Sequence, residues 1–177
     1  SLRELDAVAV SKGPGSYTGL RIGVSTAKGL CYTLGIPLIG INTLEIMTAG
    51  KRTHDLDANL LCPMIDARRM EVYCALFDRD LNWVKETTAD ILNHESYAQE
   101  LTQKKIHFFG DGAAKCKDLL SFQDNASFDP SFTTSACYMA ELAQKIFTRK
   151  NFKGEDVAYF EPFYLKDFYS PAHNSKA

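Results

Sequence analysis

The sequence contains no apolar run approaching the roughly 20 residues a membrane-spanning helix needs. It has no CxxC pair either. Its five cysteines, Cys31, Cys62, Cys74, Cys116 and Cys137, are odd in number and lie mostly in apolar contexts, so they read as reduced core residues and point to the cytoplasm. Neither sign of charge prevails: 24% charged residues with a net charge of −2 argue against disorder. The same balance excludes a strong general attraction to nucleic acid or anionic membrane, so any RNA contact must be local. His54, His94, His107 and His173 are far apart, and none has a second histidine four residues on, the spacing a helical metal site uses. GxSxG is absent, and no cysteine stands in a recognisable catalytic setting.

What is present concentrates between Asp6 and Leu34, DAVAVSKGPGSYTGLRIGVSTAKGLCYTL. Asp6 to Val10 is a short apolar run without helical spacing, which suits a strand buried on both faces. The chain then turns through Ser11-Lys12-Gly13-Pro14-Gly15. Gly13, Gly15 and Gly19 admit backbone angles closed to other residues, Pro14 fixes one φ, and Ser16 and Thr18 can cap a helix. That helix starts near Thr18 or Gly19, carries Leu20, Val24, Ala27, Cys31 and Leu34 on one face, and stops at Gly35 and Pro37.

A Gly-rich turn before a helix is a place where backbone N–H groups can hold an anion, with Gly13, Gly15, Ser16 and Thr18 as the residues for it. The dinucleotide fingerprint fails at Thr18, and the phosphate loop fails because Leu20 and Arg21 follow Gly19. The glycines equally suit a plain tight turn. Gly19, Gly23 and Ala27 repeat at four-residue steps, a ridge that lets another helix approach closely, within the chain or across a subunit interface.

Downstream, Pro37 to Ile41 reads as a second apolar strand, and Asn42 with Glu45 caps a helix from Thr43 to Ala49. The polar stretch Lys51 to Asp57 suits a lobe boundary or a surface loop. Leu60–Ile65, Glu71–Phe77 and Trp83–Thr88 read as an antiparallel meander joined by short polar turns. Asn93 to Leu101 reads as a helix, Ile106–Phe109 as a strand, Gly110-Asp111-Gly112 as a turn and Ala113–Leu120 as a helix. Strand, Gly turn and helix thus occur twice. Ser121 to Pro130 reads as a loop anchored by Phe122 and Phe128. Thr133 or Thr134 can cap a helix whose Met139, Leu142, Ala143, Ile146 and Phe147 share a face. Val157 to Phe168 is rich in aromatics and suits packing on its own lobe better than docking to a partner.

The stretch KGPGSYTGLRIGVSTAKGLCYTLGIPLIGINTLE, Lys12 to Glu45, resembles the signature segment of the TsaB (YeaZ) family, bacterial partner proteins in threonylcarbamoyladenosine biosynthesis on tRNA. Met64-Ile65-Asp66-Ala67-Arg68-Arg69 with Glu71-Val72-Tyr73, and Glu161-Pro162-Phe163-Tyr164-Leu165-Lys166, agree in order and spacing. The resemblance implies an α/β fold of the actin-like (ASKHA) kind, two ribonuclease-H-like lobes. Residues 1–56 would be the remainder of the first lobe, 57–169 the second, and 170–177 a flexible tail. Proteins of this family carry an upstream β-meander and helix, so the first lobe is expected to be incomplete in this chain.

The same resemblance implies a non-catalytic subunit that pairs with a TsaD-like protein and a TsaE-like ATPase, or with a second copy of itself. Its interface residues would be Gly19, Leu20, Gly23, Val24, Ala27 and Cys31. ATP and metal are expected on the partners, with no cofactor held strongly by this chain, and tRNA is expected at the level of the complex. Nucleotide phosphates in the actin-like fold are gripped by hairpin turns bearing Asp and Gly. Here Asp66 is present, but Ala67-Arg68-Arg69 follow it, so Asp66 is either a turn former or a residue beside a nucleotide. The alternative is a stand-alone enzyme of this fold, binding ATP or acting as the glycoprotease of the family's older label.

Overall fold

The computed structural model describes residues 1–52 and 57–166. The polar stretch Lys51 to Asp57 therefore falls partly outside the described residues, as do Phe168 and the tail from Ser170.

Two sheets organise the chain. The first is a parallel pair, β1 (Val8–Gly13) beside β2 (Leu38–Asn42), with Val8 opposite Leu38 and a shift between Ser11 and Gly13. β1 begins two residues later than its apolar run and continues through the polar Ser11 and Lys12, because the ladder with β2 sets its length. The second is a mixed five-stranded sheet in the order β5-β4-β3-β6-β7. Within it, β3 (Leu60–Asp66), β4 (Glu71–Asp78) and β5 (Trp83–Ile91) form the antiparallel meander. β6 (Ile106–Phe109) and β7 (Ala126–Asp129) extend it in parallel from β3.

β7 lies inside the stretch expected to be a loop. Its sequence, Ala-Ser-Phe-Asp, has little strand signal, and its place comes from pairing with β6. Phe128 does anchor it, stacking 5.4 Å from Phe108, whereas Phe122 is 64% exposed and anchors nothing.

Helix α1 (Tyr17–Leu34) starts where Ser16 Oγ accepts from the Gly19 N–H at 3.3 Å, and ends at Gly35, whose φ of 66° lets its N–H reach the Cys31 carbonyl. Its inner face, Leu20, Val24, Ala27 and Cys31, is buried, and Val24, Ala27 and Cys31 pack with Val10 and Leu38. Leu34, expected on that face, is half-buried. Helix α2 (Thr43–Lys51) follows β2 without a loop because Asn42 Oδ1 caps it, accepting from the Leu44 N–H at 2.8 Å.

α2 is the shared element of the fold. Leu44 and Met47 pack on Leu61, Ala75, Phe77 and Phe109 of the large sheet, while Ile46 packs with Ile39, Ile41 and Leu142 on the other side. The far face of the large sheet is covered by α3 (Ala98–Leu101) and α4 (Ala113–Leu120), which enclose Cys62, Met64, Val72, Cys74, Ile106 and Phe108. α3 is shorter than expected: Asn93 to Ser96 instead form a turn held by Asn93 Oδ1, which accepts from the Glu95 N–H. The last helix, α5 (Met139–Phe147), is preceded by a 3-10 turn capped by Ser135 rather than by Thr133 or Thr134. Leu142 is the buried residue of α5, with Met139, Ala143, Ile146 and Phe147 partly buried around it.

Candidate functional site

β1 ends in Gly13 at a φ of 116°, a conformation that suits glycine, and a Cβ there would lie 2.5 Å from the Phe163 carbonyl oxygen. That close approach seats a strap, residues 155–166, which turns at Val157 to Tyr159. Glu155 N–H donates to the Leu38 carbonyl, Phe163 N–H donates to the Lys12 carbonyl at 2.6 Å, and Lys28 Nζ donates to the carbonyls of Ala158 and Phe160. The aromatic segment therefore packs on its own chain, as its composition suggests, although Tyr159 stays exposed.

The end of β3 approaches the same place from the large sheet. Gly110, at a φ of 102°, lets the turn after β6 press against the Met64 carbonyl, and a Cβ there would come within 2.4 Å of that oxygen. Asp111 Oδ1 then accepts from the Asp66 N–H at 2.9 Å. The β3–β4 turn closes through the Ala67 N–H to the Glu71 carbonyl and the Glu71 N–H to the Arg68 carbonyl. Arg68 and Arg69 adopt φ of 71° and 49°, left-handed positions where glycine or asparagine is the usual choice.

Together these parts bound a cleft of about 620 Å³ lined by Gly15, Ser16 and Thr18 of the Gly-rich turn, Asp66 and Arg68 of the hairpin, and Tyr164 and Lys166 of the strap. Gly15, Ser16, Thr18 and Asp66, separated in sequence by some fifty positions, meet here. Gly13 does not line the cleft and is buried beneath the strap.

Two carboxylates line the cleft, Asp66 and Asp111, and Asp66 is already engaged. Asp66 Oδ1 accepts from Lys115 Nζ at 2.6 Å and from the Arg68 N–H at 2.6 Å. The Lys115 hydrogen bond, aided by the Arg68 N–H, holds its carboxyl below the usual carboxylate range, which suits a fixed acceptor better than a general base. Lys166 pairs with Glu71 and lies 5.7 Å over the Tyr73 ring. Tyr17 and Tyr164 sit 5.2 Å apart at the cleft mouth. Among the described residues, no three His, Cys, Asp or Glu side chains are grouped to hold a metal ion. Burial pushes the Cys74 thiol up to about 11 and the Cys116 thiol up to about 12, so neither is a nucleophile at neutral pH. Lys115 and Asp111, the partners that fix Asp66, escaped sequence reasoning: Gly110-Asp111-Gly112 is legible as a turn, but nothing in it names Asp66.

The six interface candidates divide. Leu20, Val24, Ala27 and Cys31 are at most 8% exposed within the chain itself. Their apolar surface is core, which corrects their assignment to a partner interface. Gly23 is half-buried with its Cα hydrogen face toward Val10, where a Cβ would make ordinary contact at 3.8 Å. The outward face of α1 instead presents Gly19, Ile22, Ser25, Thr26, Gly29 and Tyr32, with Ile22 63% and Tyr32 85% exposed.

Comparison with known proteins adds the family. A family model described as "TsaD: tRNA N6-adenosine threonylcarbamoyltransferase" matches residues 1–169. The TsaB tRNA threonylcarbamoyladenosine biosynthesis protein of Bacillus subtilis is 30% identical over 167 residues, 93% of this chain and 71% of that protein. Its Escherichia coli namesake is 39% identical over 105 residues, 58% of this chain and 45% of that one. A solved Pseudomonas aeruginosa structure, described as similar to the peptidase YeaZ, superposes with a TM-score of 0.79 at 22% identity, covering 94% of this chain and 76% of that one. The fold is thus of the actin-like (ASKHA) type. No helix among the described residues is long and apolar enough to cross a membrane.

Proposed function

This chain belongs to the TsaB (YeaZ) family, and on that premise we propose that it is a non-catalytic subunit in the biosynthesis of threonylcarbamoyladenosine on tRNA. In this reading it pairs with a TsaD-like protein that performs the transfer to the adenosine beside the anticodon. A TsaE-like ATPase completes the assembly, and ATP and metal reside on those partners. Assembly is in the cytoplasm.

The observation that carries the non-catalytic reading is Asp66. Both carboxylates that line the cleft are engaged within the chain: Asp66 is held by Lys115 and the Arg68 N–H, and Asp111 accepts from the Asp66 N–H. The outward face of α1 supports the pairing, since small residues there let a partner helix approach while Ile22 and Tyr32 supply apolar area.

The test is light scattering after size exclusion on the protein alone and mixed with a TsaD-like protein of the same organism. A stoichiometric complex, and transfer activity that needs both chains, is the expected result; activity of this chain alone overturns the reading. A thermal melt with ATP and Mg²⁺ separates the enzyme alternative, because a ligand at 100 times its dissociation constant adds about 2.7 kcal/mol. The proposal expects no such shift for this chain without its partners.

A further inference from the structure

The end of α5 carries a feature that the cleft does not use. Arg149, Lys150 and Lys153 line a hollow of about 520 Å³ with Ile146, Asn151 and Phe152, and no carboxylate lines it. The chain as a whole is acidic by two charges, so three cations on five consecutive residues stand out against their background. Among the described residues, none of the three makes a side-chain hydrogen bond or an ion pair.

Two carboxylates close by in sequence, Glu141 and Asp156, are held within the chain. Glu141 pairs with Lys145 and Arg52. Asp156 Oδ1 accepts from the N–H groups of Ala158 and Tyr159. Burial raises the Glu45 carboxyl above its ordinary range, opposed by the charges of Lys12 and Arg149.

The turn is also rigid. Arg149 N–H donates to the Ile146 carbonyl and Phe152 N–H to the Arg149 carbonyl at 2.9 Å. The Phe152 ring packs edge-on against Phe147 at 5.4 Å, tying the turn to the cluster around Leu142. Its aromatic side chain is thereby turned to the core, leaving cations and Asn151 outward.

We propose that this hollow binds the phosphodiester backbone of RNA, adding up to three phosphate contacts to the tRNA engaged by the assembly. The inference rests on the tRNA-modification reading above. It follows from charge complementarity: a fixed group of unpaired cations, with no exposed apolar anchor among them, suits a repeating anionic backbone held without base reading.

The test measures binding of unmodified tRNA across a range of salt concentrations, for the full-length protein alone and in its complex with the TsaD-like partner. The variants are Arg149→Gln/Lys150→Gln/Lys153→Gln and, as a charge-matched control, Arg3→Gln/Lys104→Gln/Lys117→Gln at exposed positions elsewhere. Each phosphate contact contributes roughly 0.7–0.9 to the slope of log K against log salt. The triple variant should therefore lose about 2–3 in slope in the complex, with an unchanged melting temperature, while the control keeps the wild-type slope. A wild-type slope for the triple variant overturns the proposal, as does competition by polyglutamate as effective as that by RNA. Absence of a complex with the partner counts against the proposed function instead, and the slope measured on the chain alone still decides this inference.

Discussion

His107 sits on β6 beside the edge strand β7, 6% exposed, with Nδ1 2.8 Å from Ser127 Oγ and Nε2 without a partner among the described residues. Burial, helped by the charge of Lys51 and opposed by Asp129, lowers its pKa from 6.5 to about 4. The unfolded chain therefore binds more protons than the folded one between those values, and stability falls as pH drops from about 6.5 to about 4, flattening below. The loss is on the order of 3 kcal/mol across that window. Asp129 works in a separate range: its hydrogen bond with Lys51 lowers its pKa to about 2, so its contribution is present above 3.8 and is lost only as pH falls toward 2. Urea denaturation at pH 7, 5 and 4 should show the wild-type decline, and His107→Leu should remove most of it. An equal decline in the variant would assign the pH dependence to other groups.

At the scale of the element, α1 has two unlike faces. The inner one is fixed by the 3.6-residue period and was readable from Leu20, Val24, Ala27 and Cys31 alone; what periodicity could not say is that the same stripe is unavailable to a partner. The outward face is polar, small and less obviously functional, with Gly29 at its centre and nothing within 4 Å of where its Cβ would stand. Gly29→Ala should stabilise the isolated protein by roughly 0.5–1 kcal/mol, because glycine in an exposed helix interior carries an entropic penalty of that size. Gly29→Trp should leave the melting temperature of the isolated chain nearly unchanged and weaken association with the TsaD-like partner. Undiminished association by both variants would move the interface off this helix.

The other elements show the same division between local and long-range information. The stop at Gly35, the cap at Asn42 and the meander from Leu60 were legible because each depends on its own neighbours. β7 was not, since Ala126–Asp129 becomes a strand only through β6; the turn after Asp66 was legible as a turn, but not its left-handed Arg68 and Arg69, which carry no glycine signal. The cleft was half legible: its Gly-rich turn and Asp66 could each be singled out, while their meeting depends on how the two sheets pack.

At the scale of the whole molecule, α2 and the strap join the small sheet to the large one, beside a direct bond from Asn42 Nδ2 to Thr87 Oγ1. α2 does so from inside, with Leu44, Ile46, Met47 and Thr48 at most 1% exposed, and it is the rigid connection. The strap does so from outside, bonded to β1, β2 and α1 by its backbone and to β4 through Lys166 and Glu71. Because it also forms one wall of the cleft, its docking determines whether Gly15, Ser16 and Asp66 face a bounded space or open solvent. Gly13 controls that docking. Gly13→Ala places a methyl group against the Phe163 carbonyl and holds alanine at a φ of 116°, which together should destabilise the protein by roughly 2–4 kcal/mol. Gly15→Ala, with nothing within 4 Å of the added Cβ, is the control and should fall within about 0.5 kcal/mol of wild type. Amide exchange distinguishes a local from a global consequence. The Phe163 N–H, which donates to Lys12, should lose more protection in Gly13→Ala than the Leu61 and Phe108 amides of the large sheet, which fall only by the loss of global stability. If Phe163 instead exchanges in step with the large sheet in both proteins, the strap and the two sheets open as one unit, and the cleft has no independent closing element.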